Sequence, residues 1–203
     1  MRSIARWPAA VGSLALLAGC GGGQSVRDAA IADAMSVDGA QCPAVIEQHV
    51  EEGFNHIACT SATDYQTNPP SSGNHFGCWP EYRTFDAPVP WGNLVHALEH
   101  GAVVIVYNCG STGCPDEVAR AQAFIDALPP DTSCTDHRMI LAPDPTLEGA
   151  RWAATAWTWT LRADCFDETA FMQFYTDHYD HGRETVCGGG APSANLCDQM
   201  ICV

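Results

Sequence analysis

Two histidines four positions apart, His96 and His100, enclose a glutamate in the run Val95-His96-Ala97-Leu98-Glu99-His100-Gly101. On a helix, residues i and i+4 share a face, so both imidazoles can reach one ion, and Glu99 lies near the same face. Written as His-x-x-Glu-His, the run is the inverted zinc-protease pattern, in which a glutamate serves as general base on a metal-bound water. The competing reading is structural, with one histidine in the core and the other at an exposed helix end. Two further imidazoles bear on the choice. His75 ends the turn-rich Pro69-Pro70-Ser71-Ser72-Gly73-Asn74-His75, and His56 precedes Ile57 at the start of the same long stretch. Proline fixes backbone torsions, so such a loop can preset the side chain that it carries.

The flanking segments must position these side chains. Leu94 to His100 reads as a short helix closed by Gly101. Ala102 to Tyr107 is a continuous β-branched run, the pattern of a buried strand. Pro115 opens a helix through Leu128, with Val118, Ala121, Phe124 and Ile125 at helical spacing and Pro129-Pro130 as the stop. Met139-Ile140-Leu141 reads as a second strand. Ala153 to Leu161 alternates Trp157, Trp159 and Leu161 against Thr158 and Thr160, and reads as a third. Asp167 caps a last helix carrying Phe171, Phe174 and Tyr175. Residues 26–53 read as partly helical, with Val45, Ile46, Val50 and Phe54 as a stripe. The expected fold is α/β or α+β: one compact domain, a central sheet of few strands packed by helices, and a long ordered Pro-rich loop over 55–92.

These motifs resemble an uncharacterised group of bacterial exported domains, the family known as domain of unknown function 3105. The resemblance rests on His56-Ile57, Tyr65, the Pro69 to His75 loop, Trp79, Leu94 to Gly101, and Val103 to Tyr107. Ala156-Trp157 and Phe166-Asp167 match later, so it spans about residues 50–186. Departures are Ser71 for Thr, Asn74 for Pro, and Gly182-Arg183-Glu184 where the family tends to have Gly-Pro-Glu. The resemblance implies that His56, His75, His96, Glu99 and His100 form one group. The metal ligands expected are His56, His75, His96 and His100. Histidine-rich, carboxylate-poor ligation suits copper or zinc. Copper(I) would need a soft ligand, for which Met139 is the nearest candidate in sequence. Other histidines carry weaker signals: His178 and His181 suit the C-terminal end of a helix dipole, and His137 has no partner pattern.

Composition narrows the function classes. A formal charge of −15 repels nucleic acid and anionic surfaces, so no nucleic-acid partner is expected. Residues 1–19 read as a lipoprotein signal peptide. Arg2 and Arg6 precede an apolar stretch, and Leu17-Ala18-Gly19-Cys20 is a lipobox whose Cys20 takes the lipid. Residues 20–40 are then a tether, and 41–203 a disulfide-rich globular domain. The lipid on Cys20 is the expected membrane contact, and the cell envelope, outside the cytoplasm, is the expected location.

Eleven cysteines include Cys20, which leaves ten for up to five disulfides after export. Cys109 and Cys114 are spaced to close a small loop. No Cys-x-x-Cys occurs, which argues against a zinc ribbon and a thioredoxin-like redox motif. Gly188-Gly189-Gly190 has no following helix or lysine and is not a phosphate loop.

Three functions follow as expectations. The first is an envelope lipoprotein with a copper or zinc site. The second is a zinc hydrolase with Glu99 as general base. The third is a structural or interaction module whose histidines only pack.

Overall fold

The computed structural model describes residues 42–191. In chain order these form β1 (Ala44–Gln48), β2 (His56–Ile57), β3 (His75–Phe76), α1 (Trp91–Glu99), β4 (Val103–Tyr107), a 3-10 turn (Gly110–Thr112), α2 (Pro115–Ala127), β5 (Met139–Pro143), β6 (Trp152–Ala156), β7 (Trp159–Ala163) and α3 (Glu168–His178). The signal peptide, Cys20, the tether, Cys197 and Cys202 lie outside the described residues. No described helix is long and apolar enough to cross a membrane.

Five strands make one mixed sheet in the order β1-β7-β6-β4-β5. Within this sheet only β4 and β5 run parallel, and α2 supplies the crossover that parallel neighbours require. Side chains alternate across these strands and both faces are covered. Val103 and Ile105 pack with Met139, Leu141, Phe124 of α2 and Phe171 and Phe174 of α3. Val104 and Val106 pack on the other side with Ile140, Ala142 and Leu94, Val95 and Leu98 of α1. Burial on both faces is why β4 reads as an unbroken apolar run. Each of the large α1 side chains contributes roughly 1.5–3 kcal/mol on burial. The domain is α+β, with α1 on one side of the sheet and α2 and α3 on the other.

Pro115 opens α2, and the Asp167 carboxylate accepts a hydrogen bond from the Ala170 N–H at the start of α3. Three disulfides join Cys42 to Cys165, Cys109 to Cys114 and Cys134 to Cys187. Cys59 and Cys78 are disulfide-bonded as well.

Two expectations need correction. The Val45–Ile46 segment is a strand, not a helix: β1 lies antiparallel on β7 at the sheet edge and is tied there through Cys42. The single strand expected over 153–161 is a hairpin. β6 and β7 pair from Ala156↔Trp159 outward, and Trp157-Thr158 makes the turn. Thr158 takes φ 64°, a conformation that β-branched residues rarely adopt. Its N–H donates to the Ser71 carbonyl and its carbonyl accepts from the His49 N–H, each at 2.8 Å. The hairpin tip is thus fastened to the Pro-rich loop.

Candidate metal centre

The Pro-rich loop is held from several directions. Gly73 and His75 donate backbone N–H groups to the carbonyls of Gly53 and Asn55, each at 3.0 Å. The Ser72 hydroxyl accepts from the Glu52 N–H at 2.9 Å, and the Thr155 hydroxyl donates to the Pro70 carbonyl at 2.9 Å. These bonds bring β2 beside β3 as a short parallel pair, with His56 directly opposite His75. Helix α1 packs against β3, and His96 comes to the same place from the helix.

The three rings are close: centroids lie 5.1 Å apart for His56–His75, 4.7 Å for His56–His96 and 4.8 Å for His75–His96. One ligand atom each from His56, His75, His96 and Glu99 can be chosen so that all lie within 4.8 Å of one another. His75, His96 and Glu99 are buried and His56 is exposed, so the cluster meets solvent at His56.

Two imidazoles are oriented by backbone. His75 Nδ1 lies 2.9 Å from the Gly73 carbonyl oxygen, and His96 Nδ1 lies 2.6 Å from that of Phe76. A carbonyl only accepts, so the proton sits on Nδ1 and the lone pair on Nε2. Metal-binding histidines are commonly held this way, with one nitrogen donating and the other free to ligate.

Burial sets the charge states. It drives the imidazole of His75 down, that of His96 to about 3 and that of His100 to about 4. Burial also pushes the Glu99 carboxyl up to about 7, and the Glu184 carboxylate adds to the rise. His75 Nε2 lies 3.0 Å from Glu99 Oε2, yet the geometry makes no hydrogen bond, and the buried Nε2 has no hydrogen-bond partner among the described residues. A charged ion pair would raise the histidine and lower the glutamate, whereas both shift the opposite way. A metal cation would satisfy both: it needs neutral nitrogen ligands and stabilises a carboxylate.

His100 is placed differently from the other three histidines. Its ring lies 4.6 Å from that of His96, and it groups with Glu99 and Glu184. Trp79 packs against both, with centroids 4.9 Å from His96 and 4.4 Å from His100. Met139 lies on the α2 and α3 side of the sheet, away from α1. The remaining histidines have other neighbours. His178 stacks on Trp159, His137 lies 3.0 Å from the Tyr175 hydroxyl, and His181 bonds the Asp177 carbonyl.

Sequence reasoning assigned no role to Glu184 or Arg138. Glu184 stood in a recognised motif, but nothing local ties it to α1. Arg138 is fully buried, paired with Asp131 and Asp180, and donates to the His100 carbonyl. No motif announces it.

Fold and site together define a single α+β domain with an imidazole–carboxylate cluster that could hold a metal ion. The chain belongs to the family described as Protein of unknown function (DUF3105), whose model matches residues 56–189. The matched span contains His56, His75, His96, Glu99, His100 and Glu184. No curated protein and no solved structure matches the chain.

Proposed function

We propose that this protein binds a zinc or copper(II) ion through His56, His75 and His96, with Glu99 as the fourth ligand, in the cell envelope outside the cytoplasm. The observation that carries the reading is the pair of Nδ1–carbonyl bonds at His75 and His96. They leave two Nε2 lone pairs beside a buried carboxylate, which packing alone does not require. The donor set is borderline in softness, and the eight described cysteines are held as disulfides. That favours zinc or copper(II) over copper(I). The envelope location rests on the lipobox ending in Cys20, with the lipid as anchor.

A carrier, buffer or sensor fits a site in which the protein supplies all four ligands. The hydrolase reading finds support in one observation: a Glu99 carboxyl near 7 is suited to a general base at neutral pH. Dialysis of the full chain against zinc and copper(II), followed by elemental analysis, tests metal binding. At least one equivalent should be retained by wild type and lost from His96→Ala. Retention of none leaves the structural module as the remaining function. Glu99→Gln separates the two metal readings. A loss of affinity marks a ligand, whereas unchanged affinity with loss of hydrolysis marks a base.

A further inference from the structure

Glu99 stands at the junction of two groups of ligand atoms. One contains His56, His75 and His96. The other contains His100 and Glu184, whose ligand atoms, with one from Glu99, also lie within 4.8 Å of one another. A carboxylate has two oxygens and can serve a different ion with each. We propose that Glu99, His100 and Glu184 hold a second divalent first-row ion, and that Glu99 bridges it to the ion of the histidine cluster. This rests on the metal-binding reading above and extends it from one ion to a pair.

The second group is built into the fold. His100 is 3% exposed, and its Nδ1 is buried without a hydrogen-bond partner among the described residues. Its Nε2 lies 4.0 Å from Glu184 Oε2, beyond a hydrogen bond but within the span of two ligands on one ion. Glu184 reaches this place because its chain segment is fastened to the end of α1. The Glu184 N–H donates to the Glu99 carbonyl at 2.8 Å, and the Asp180 N–H donates to the Gly101 carbonyl at 2.9 Å. Between them, Gly182 lies so close to Gly101 and the Glu99 carbonyl that a Cβ would overlap both. The Cys134–Cys187 disulfide ties down the chain just beyond. Arg138 holds the other side by donating to the His100 carbonyl.

Charge points the same way. Two carboxylates, Glu99 and Glu184, meet here, and the one arginine of this segment, Arg183, lays its guanidinium on the Phe54 ring at 3.3 Å. One imidazole and two carboxylates make a harder donor set than three imidazoles and one carboxylate. The second site therefore suits zinc or manganese(II), and the first zinc or copper(II). More than half of the Glu184 side chain is exposed, so the second ion is open to water or an added ligand.

The test is zinc stoichiometry of the full chain after chelation and reloading, with X-ray absorption at the zinc edge. Wild type should hold two equivalents, and the spectrum should show a zinc–zinc vector of about 3.5–4 Å, the separation of paired ions in two-metal sites. Glu184→Gln, a conservative change at an exposed side chain, should hold one equivalent and lose the vector. His100→Gln should do the same. One equivalent in both wild type and Glu184→Gln overturns the second site and leaves the single-ion reading intact. Two equivalents in Glu184→Gln, or two without the vector, also overturn it. No zinc in wild type overturns both.

Discussion

His96 Nδ1 bonds the carbonyl oxygen of Phe76, the residue directly after His75, at 2.6 Å. The strand that presents one imidazole thus orients a second, which arrives from a helix. Displacing β3 must move both. This coupling makes the Pro-rich loop the most sensitive part of the proposed centre.

Gly73 is the test point in that loop. Its φ of +126° is rarely adopted by residues with side chains, and an added Cβ would lie 2.8 Å from the Tyr65 ring. Gly73→Ala should cost about 1–3 kcal/mol in unfolding free energy through backbone strain alone. Because the Gly73 carbonyl faces His75 Nδ1, metal affinity should fall about 10–100-fold, as when an orienting partner is lost. Urea unfolding and a competitive chelator titration measure the two effects. Lost stability with unchanged affinity would uncouple the loop from the metal.

Metal removal should destabilise the folded protein. An ion bound only by the native state stabilises it by about 2.7 kcal/mol at a free concentration one hundred times Kd. Adding a chelator should lower the melting temperature of wild type by more than that of His96→Ala, which lacks the ion of the histidine cluster. Equal effects on both would place the responsible ion elsewhere.

Arg138 should be the costliest charge to remove. Its partners Asp131 and Asp180 and the His100 carbonyl are distributed around it, and Asp131 is nearly as buried as the arginine. Arg138→Met should lose roughly 3–5 kcal/mol, because the carboxylates are left uncompensated. Urea unfolding at neutral pH measures it.

The same network predicts a pH dependence. Burial pushes the Asp131 carboxyl up. Hydrogen bonds from Tyr179, Cys134 and Ser133, with the Arg138 charge, outweigh it and hold the group at about 2, below its ordinary 3.8. The unfolded state therefore binds the proton first as pH falls. The contribution, about 2 kcal/mol, is complete above the ordinary value and is lost as pH drops towards 2. Asp131→Asn should reduce the loss of stability between pH 5 and pH 2. An unchanged acid limb would contradict this account of the carboxylate.

Thr158 offers a gain. A β-branched residue at φ 64° sits in the left-handed region that asparagine tolerates better. Thr158→Asn keeps the backbone bonds to Ser71 and His49 and should raise stability by up to about 1 kcal/mol. A decrease would mean that the threonine side chain outweighs the backbone preference.

The same residue explains a limit of the sequence. Trp157-Thr158 contains no Gly, Asn, Asp or Pro, so the turn between β6 and β7 had no local signature and alternation ran across it. Strand β1 was hidden for another reason. Val45, Ile46, Val50 and Phe54 mimic helical spacing, while β1 is fixed by its distant partners β7 and Cys165. By contrast, β4 was legible because it is buried on both faces, and α2 and α3 because Pro115 and Asp167 mark their starts. The site divided in the same way. The i/i+4 spacing brings the rings of His96 and His100 to 4.6 Å, as a helix requires. It could not reveal that His96 turns towards β3 while His100 meets Glu184, since that depends on a segment far along the chain. Arg138 acts through contacts with residues on both sides of it in sequence and has no pattern to read.

The most direct measurement of the central claim is X-ray absorption of the metal-loaded full chain at the edge of whichever ion it retains. The account predicts nitrogen and oxygen neighbours at about 2.0–2.1 Å, with the outer-shell scattering of several imidazoles that is lost in His75→Ala and His96→Ala. A shell of sulfur at about 2.3 Å, or a spectrum without imidazole scattering, would place the ion outside the His56–His75–His96–Glu99 cluster and contradict the claim.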